Sequence, residues 1–169
     1  RLRRLEATRA DSLVKLLDRV IAVAGETLEM RSPAAHQHSK VRLQLARAHY
    51  YRMLYYAGEG DPTERREFDR SDAQAGELLK ALVEARPSNP EVYRLALLYY
   101  GRRFTTLASE TNRTLEQDAY LGRLRGMLLR LAPMYRRYQG TASGAPIDAE
   151  VRPVLEMLDR EVALSDSPA

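Results

Sequence analysis

The sequence predicts an all-α fold, an antiparallel helical bundle of four to six helices. Three observations predict it. Apolar residues recur at steps of three and four through most of the chain. Short joints rich in proline and glycine separate those stretches. The balance of 44% hydrophobic and 30% charged residues is that of a globular chain rather than a disordered one.

The first helix is expected from about Leu2 to Arg31, with Leu2, Leu5, Leu13, Leu16, Val20, Val23 and Leu28 as its apolar positions. Arg31-Ser32-Pro33 interrupts it, and Ser32 can cap a new helix with Pro33 at its first position. The second helix is expected over Ala34 to Ala57. Its apolar residues spread over so much of the circumference (Val41, Leu45, Ala48 and Tyr55 on one stripe, Leu43, Ala46, Tyr50, Met53 and Leu54 beside it) that it should contact more than one neighbour. Gly58 to Pro62 stops it.

Asp61 before Pro62 is a candidate cap for the third helix, whose buried stripe is expected to be Phe68, Ala75, Leu78 and Leu82. Pro87-Ser88-Asn89-Pro90 forms the next joint, with Asn89 as cap and Pro90 in the first turn. From Val92 to Tyr138 an apolar stripe continues without an interior proline until Pro133. It admits one helix of about 40 residues or more, spanning about 60–75 Å. A break near Gly101 or Gly122 would divide it. Gln139 to Asp148 reads as loop, Asp148 as the cap of a last helix bearing Val151, Leu155, Leu158 and Val162, and Ser165 to Ala169 as a frayed tail.

The length of 169 residues suits a single domain covering 1–169. Because the chain opens on Arg1 and is already helical in rhythm at Leu2, it is expected to be cut from something longer. With no cysteine, a disulfide scaffold and a cysteine zinc site are excluded. No apolar run approaches the roughly 20 residues that cross a bilayer. The charge alternates along the chain: residues 1–57 carry 11 basic and 5 acidic groups, and residues 58–85 carry 4 basic and 8 acidic. Helices that neutralise one another on packing suit this better than a nucleic-acid surface does, so no nucleic-acid partner is expected.

No glycine-rich phosphate loop, zinc-binding helix motif or nucleophile elbow occurs, so no catalytic residue, metal or cofactor is expected. His36, His38 and His49 read as solvated or cap-region histidines. Asn112-Arg113-Thr114 matches a glycosylation sequon but falls within the expected long helix. Tyr135-Arg136-Arg137-Tyr138 interleaves rings and charges as a base-stacking platform would.

Tyrosine is the unusual residue: there are ten, against two phenylalanines and no tryptophan. Two clusters combine it with arginine, one in the second helix and one at the start of the fourth. Tyrosine offers a ring and a hydroxyl, and arginine a fork for carboxylates. A cleft between these helices would suit a small anionic or aromatic ligand, with Arg42, Arg47, Arg52 and Arg94 for the anion and Tyr51, Tyr55 and Tyr99 for the ring. The same residues also suit a thick core with arginines reaching outward.

The stretch Leu45 to Leu82 resembles the extracytoplasmic helical domains of bacterial chemoreceptors and related sensor kinases. The resemblance rests on Ala46 to Leu54, then Gly60-Asp61-Pro62, then Glu67-Phe68 and Leu78 to Leu82. It implies a periplasmic sensor of a small-molecule ligand, flanked by transmembrane helices, often a homodimer, that passes a helix displacement to an output module in chemotaxis or related signal transduction. A second likeness, over Asn89 to Tyr100, is to the start of a tetratricopeptide repeat. It implies an adaptor for protein partners, although no 34-residue period recurs.

Overall fold

In a computed structural model of the chain, the described residues are 2–29, 35–58, 60–143 and 148–165, with side chains described over 12–29, 38–58, 60–139 and 148–160. They are all-α, six helices with no strand among the described residues. These are α1 (Leu2–Glu29), α2 (Ala35–Tyr55), α3 (Pro62–Glu84), α4 (Pro90–Ala108), α5 (Leu115–Ser143) and α6 (Arg152–Ser165). The joint at Arg31, Ser32 and Pro33, the loop residues 144–147 and the tail beyond Ser165 lie outside the described residues. Contacts divide the chain into two compact units, Arg1–Arg86 and Pro87–Ala169.

In the first unit α2 is the middle helix. It packs against α1 on one side and α3 on the other, while α1 and α3 do not pack on each other among the described residues. The wide apolar surface of α2 finds its explanation here, since Leu43, Leu45, Ala46, Ala48, Tyr50 and Met53 are all buried. Leu17 and Ala24 bury the matching side of α1. On α3 the buried residues are Ser71, Ala75, Leu79 and Leu82, whereas Phe68 and Leu78 are only half-buried. Asp61 caps α3 as expected, its carboxylate accepting from the Thr63 and Glu64 amides at 2.7 and 3.0 Å. His49 departs from expectation. It sits mid-helix in α2 and is 7% exposed, neither solvated nor near a cap.

In the second unit α4 and α5 form a hairpin, and α6 lies against both. Asn89 accepts from the Glu91 amide at 3.0 Å, with Pro90 starting α4. The core collects Tyr93, Leu95, Leu97 and Tyr99 from α4, Leu124, Leu128, Leu131 and Tyr135 from α5, and Val151, Leu155 and Leu158 from the α6 side. Gly101 lets α6 approach α4: a Cβ there would fall 2.8 Å from one methyl of Val154 and 3.0 Å from the other. Asp148, expected as the cap of the last helix, stands four residues before α6 begins at Arg152; its carboxylate accepts from the Glu150 amide at 2.8 Å in the turn that precedes the helix.

The single helix of 40 residues or more does not form. The chain breaks after Ala108, at neither Gly101 nor Gly122, and both glycines are helical. The cause lies in Ser109 to Thr114. The Arg113 guanidinium donates to the carbonyls of Ala108 and Glu110 at 3.1 and 2.8 Å, and binds Asp118 at 2.7 Å. It thereby satisfies carbonyls that the end of α4 leaves open. Thr114 and Gln117 form a reciprocal capping box, with Thr114 N donating to the Gln117 amide oxygen at 2.7 Å and Gln117 N to the Thr114 hydroxyl at 3.2 Å. Asn112-Arg113-Thr114 is thus in a turn, not mid-helix. Gln139 to Ser143, expected as loop, extend α5 instead.

Candidate interaction groove

Arg42, Arg47, Tyr51, Arg52 and Tyr55 belong to the first unit, Arg94 and Tyr99 to the second. Arg52 ties the three helices of its unit together. Its Nε donates to Asp18 on α1 at 2.8 Å, and its Nη1 to Glu67 and Ser71 on α3 at 2.6 and 3.0 Å. The guanidinium also lies 5.3 Å from the centre of the Tyr56 ring. Burial opposes its charge, but the hydrogen bonds to Glu67 and Asp18 outweigh that and raise its pKa.

Arg94 plays the corresponding part in the second unit. It donates to Asp148 and Glu150 at 2.7 Å each, fixing α4 to the turn that leads into α6. Burial again opposes the charge, and the hydrogen bond to Asp148 and the surrounding carboxylates more than compensate. In return the bond from Arg94 holds the Asp148 carboxyl below its ordinary value. Replacing Arg94 by methionine keeps the aliphatic stem and removes the fork. We expect a loss of about 1–2 kcal/mol, modest because Asp148 can rehydrate. Urea unfolding measures it, and an unchanged midpoint would show that the pair does not hold α6.

The remaining expected residues are placed as follows. Tyr99 is buried, with the Arg103 guanidinium 5.2 Å from its ring centre. Tyr51 is half-buried, edge-on to Tyr50, and Arg47 is half-buried beside the same helix edge. Arg42 is exposed. Tyr55 lines a recess of about 430 Å³ with Val14, Lys15, Tyr56, Asp61, Thr63, Glu64 and Glu67. There Asp61 is committed to capping α3 and Glu67 to Arg52. The surroundings of Tyr55 are therefore mainly carboxylate, the opposite of an anion site. In the second unit the rings of the Tyr135 to Tyr138 segment turn inward. Tyr135 is buried, Tyr138 stacks on Tyr93 at 5.5 Å, and Arg136 binds both oxygens of Asp159.

A different surface has the geometry of a site. Between α1 and α2 runs an open groove of about 470 Å³, lined by Leu16, Arg19, Val20, Val23, Ala24, Thr27, Lys40, Val41 and Gln44. Along α1, Leu13 is 46%, Leu16 58% and Val23 56% exposed. The buried Leu17 and Ala24 face α2, so the apolar arc of α1 is wider than the partner that covers it. No family model, no curated protein and no solved structure matches this chain. The groove must therefore be read from its own chemistry. Among the described residues, no group of three histidines, cysteines or carboxylates could hold a metal, and no helix is long and apolar enough to cross a membrane. Sequence reasoning missed the groove although its signal was present: Leu13, Leu16, Leu17, Val20, Ile21, Val23 and Ala24 cover more of a helix surface than one packed neighbour can bury.

Proposed function

We propose that this chain is a helical protein-interaction module and that the α1/α2 groove is its working surface. The observation that carries this reading is the pair Leu16 and Val23, each more than half exposed on a helix whose other side is packed. A contiguous apolar surface of this kind marks a binding site more often than chance exposure. An amphipathic helix laid into an apolar groove is a recurrent mode of peptide recognition. The paired helices of the second unit, in place of one long helix, agree with the adaptor expectation, and α4 begins on the Asn89-Pro90 stretch that resembles a tetratricopeptide repeat.

The alternative, a periplasmic small-molecule sensor, asks Arg52 and Arg94 to receive an anion. Each is 13–14% exposed and already bound to two carboxylates at 2.6–2.8 Å. A ligand would have to displace them.

A titration of the isotope-labelled protein followed by amide NMR separates the two readings. With a neutral amphipathic helical peptide, apolar on one stripe and glutamine-rich elsewhere, the shifted amides should cluster at residues 16–27 and 40–44, and Leu16→Asp should abolish the effect. If organic acids or amino acids instead shift amides around Arg52 or Arg94 and the peptide shifts nothing, the interaction reading is wrong.

A further inference from the structure

We infer that the occupant of the groove is an amphipathic α-helix of a partner protein that carries carboxylates on both flanks of its apolar stripe. This rests on the interaction reading above and adds the partner's charge. Two cations stand at the groove, Arg19 from α1 and Lys40 from α2, and no carboxylate is among its lining residues. Both are exposed, and neither has a carboxylate partner among the described residues. Lys40 heads an edge of α2 that continues, at steps of four, three and four, through Gln44, Arg47 and Tyr51. The sequence from Arg31 to Gly58 contains no acid at all. Two acids of the first unit, Asp18 and Glu67, are held at Arg52 rather than at the groove.

An apolar floor with one cation on each helix, Arg19 and Lys40, is complementary to a helix with an apolar stripe flanked by carboxylates. The lining on α1, from Leu16 to Thr27, extends about 16 Å, the length of about three helical turns. A second copy of the chain fits less well. An antiparallel second α1 centred on Asp18 would match Leu13 with Val23 and Leu16 with Val20, but it would set Asp18 opposite its own equivalent rather than opposite Arg19. A flat anionic lipid surface would meet the cations but could not fill a groove between two helices.

The test uses three fluorescent helical peptides of about 16 residues. All have leucine at the same stripe positions, and their flanks are glutamate, glutamine or lysine. Anisotropy titrations should rank them glutamate, glutamine, lysine, with the first about tenfold tighter than the second at low salt, and the gap closing at about 0.5 M salt. Reversing both cations, Arg19→Glu with Lys40→Glu, should invert the ranking, while Leu16→Asp should weaken all three. Equal affinity for the glutamate and glutamine peptides overturns the charge inference and leaves the groove reading intact. Binding of none of the peptides overturns both. Two further results count against the acidic helix. One is a dimer in sedimentation equilibrium that Leu16→Asp dissolves, which makes the occupant a second copy. The other is preferential binding to phosphatidylglycerol vesicles over the glutamate peptide, which makes it a membrane.

Discussion

Replacing Leu79 by alanine is expected to lower the unfolding free energy by about 2–5 kcal/mol. Leu79 is wholly excluded from solvent on the side of α3 that packs on α2. The loss has two parts: the transfer of its methyl groups from water, which no longer occurs, and the cavity left behind. The second part should be near its upper range. Ala75, one turn earlier on the same helix face, is equally buried and cannot extend into the gap. The contrast is Leu115, which is 89% exposed at the first turn of α5. Leu115→Ala should move stability by less than about 0.5 kcal/mol. Urea unfolding followed by far-UV circular dichroism measures both. A Leu79→Ala effect as small as that of Leu115→Ala would mean that α3 is not packed on α2 as described.

These two leucines also show what the sequence could and could not convey. The caps at Asp61 and Asn89 were legible because the interaction is local, a side-chain oxygen reaching an amide two or three residues on. Thr114 and Gln117 form a box of the same local kind, but Leu107, Thr111 and Leu115 kept the helical period running straight through the turn. Periodicity reports which residues could share a face, and Leu115 satisfies the period while facing water. The partners of Arg52 and Arg94 were not legible. They lie 34 and 15 residues away for Arg52, and 54 and 56 for Arg94, and only the packing of α1, α3 and α6 brings them in. The Tyr/Arg clusters were therefore visible as composition, while the state of each guanidinium was not. The groove stands between these cases. The excess width of the apolar arc on α1 is in the sequence, but which part of it α2 leaves open depends on how the two helices cross.

His49 was illegible for the same reason, and it should make the first unit acid-sensitive. Burial comes first among the causes, followed by the charges of Arg52 on α2 and Arg70 on α3, and together they lower its pKa from 6.5 to about 4. The Nδ1 atom is buried without a hydrogen-bond partner among the described residues, so the neutral ring gains nothing by taking a proton there. The direction follows from proton binding. Between pH 6.5 and about 4 the unfolded chain holds a proton on this ring and the folded chain does not. Stability is therefore complete above pH 6.5, falls as the pH drops through that window, and levels off below about 4. The loss across the window is about 3 kcal/mol. Asp61 and Asp148 act elsewhere on the scale: their carboxyls are held below the ordinary 3.8, so the stability they contribute is lost only at lower pH. His49→Gln keeps a polar side chain of similar reach that does not titrate. Its unfolding free energy should be nearly flat between pH 6.5 and 4.5, where the parent chain declines. Parallel slopes in the two proteins would show that the ring is charged in the folded state, and that α2 and α3 leave it a path to water.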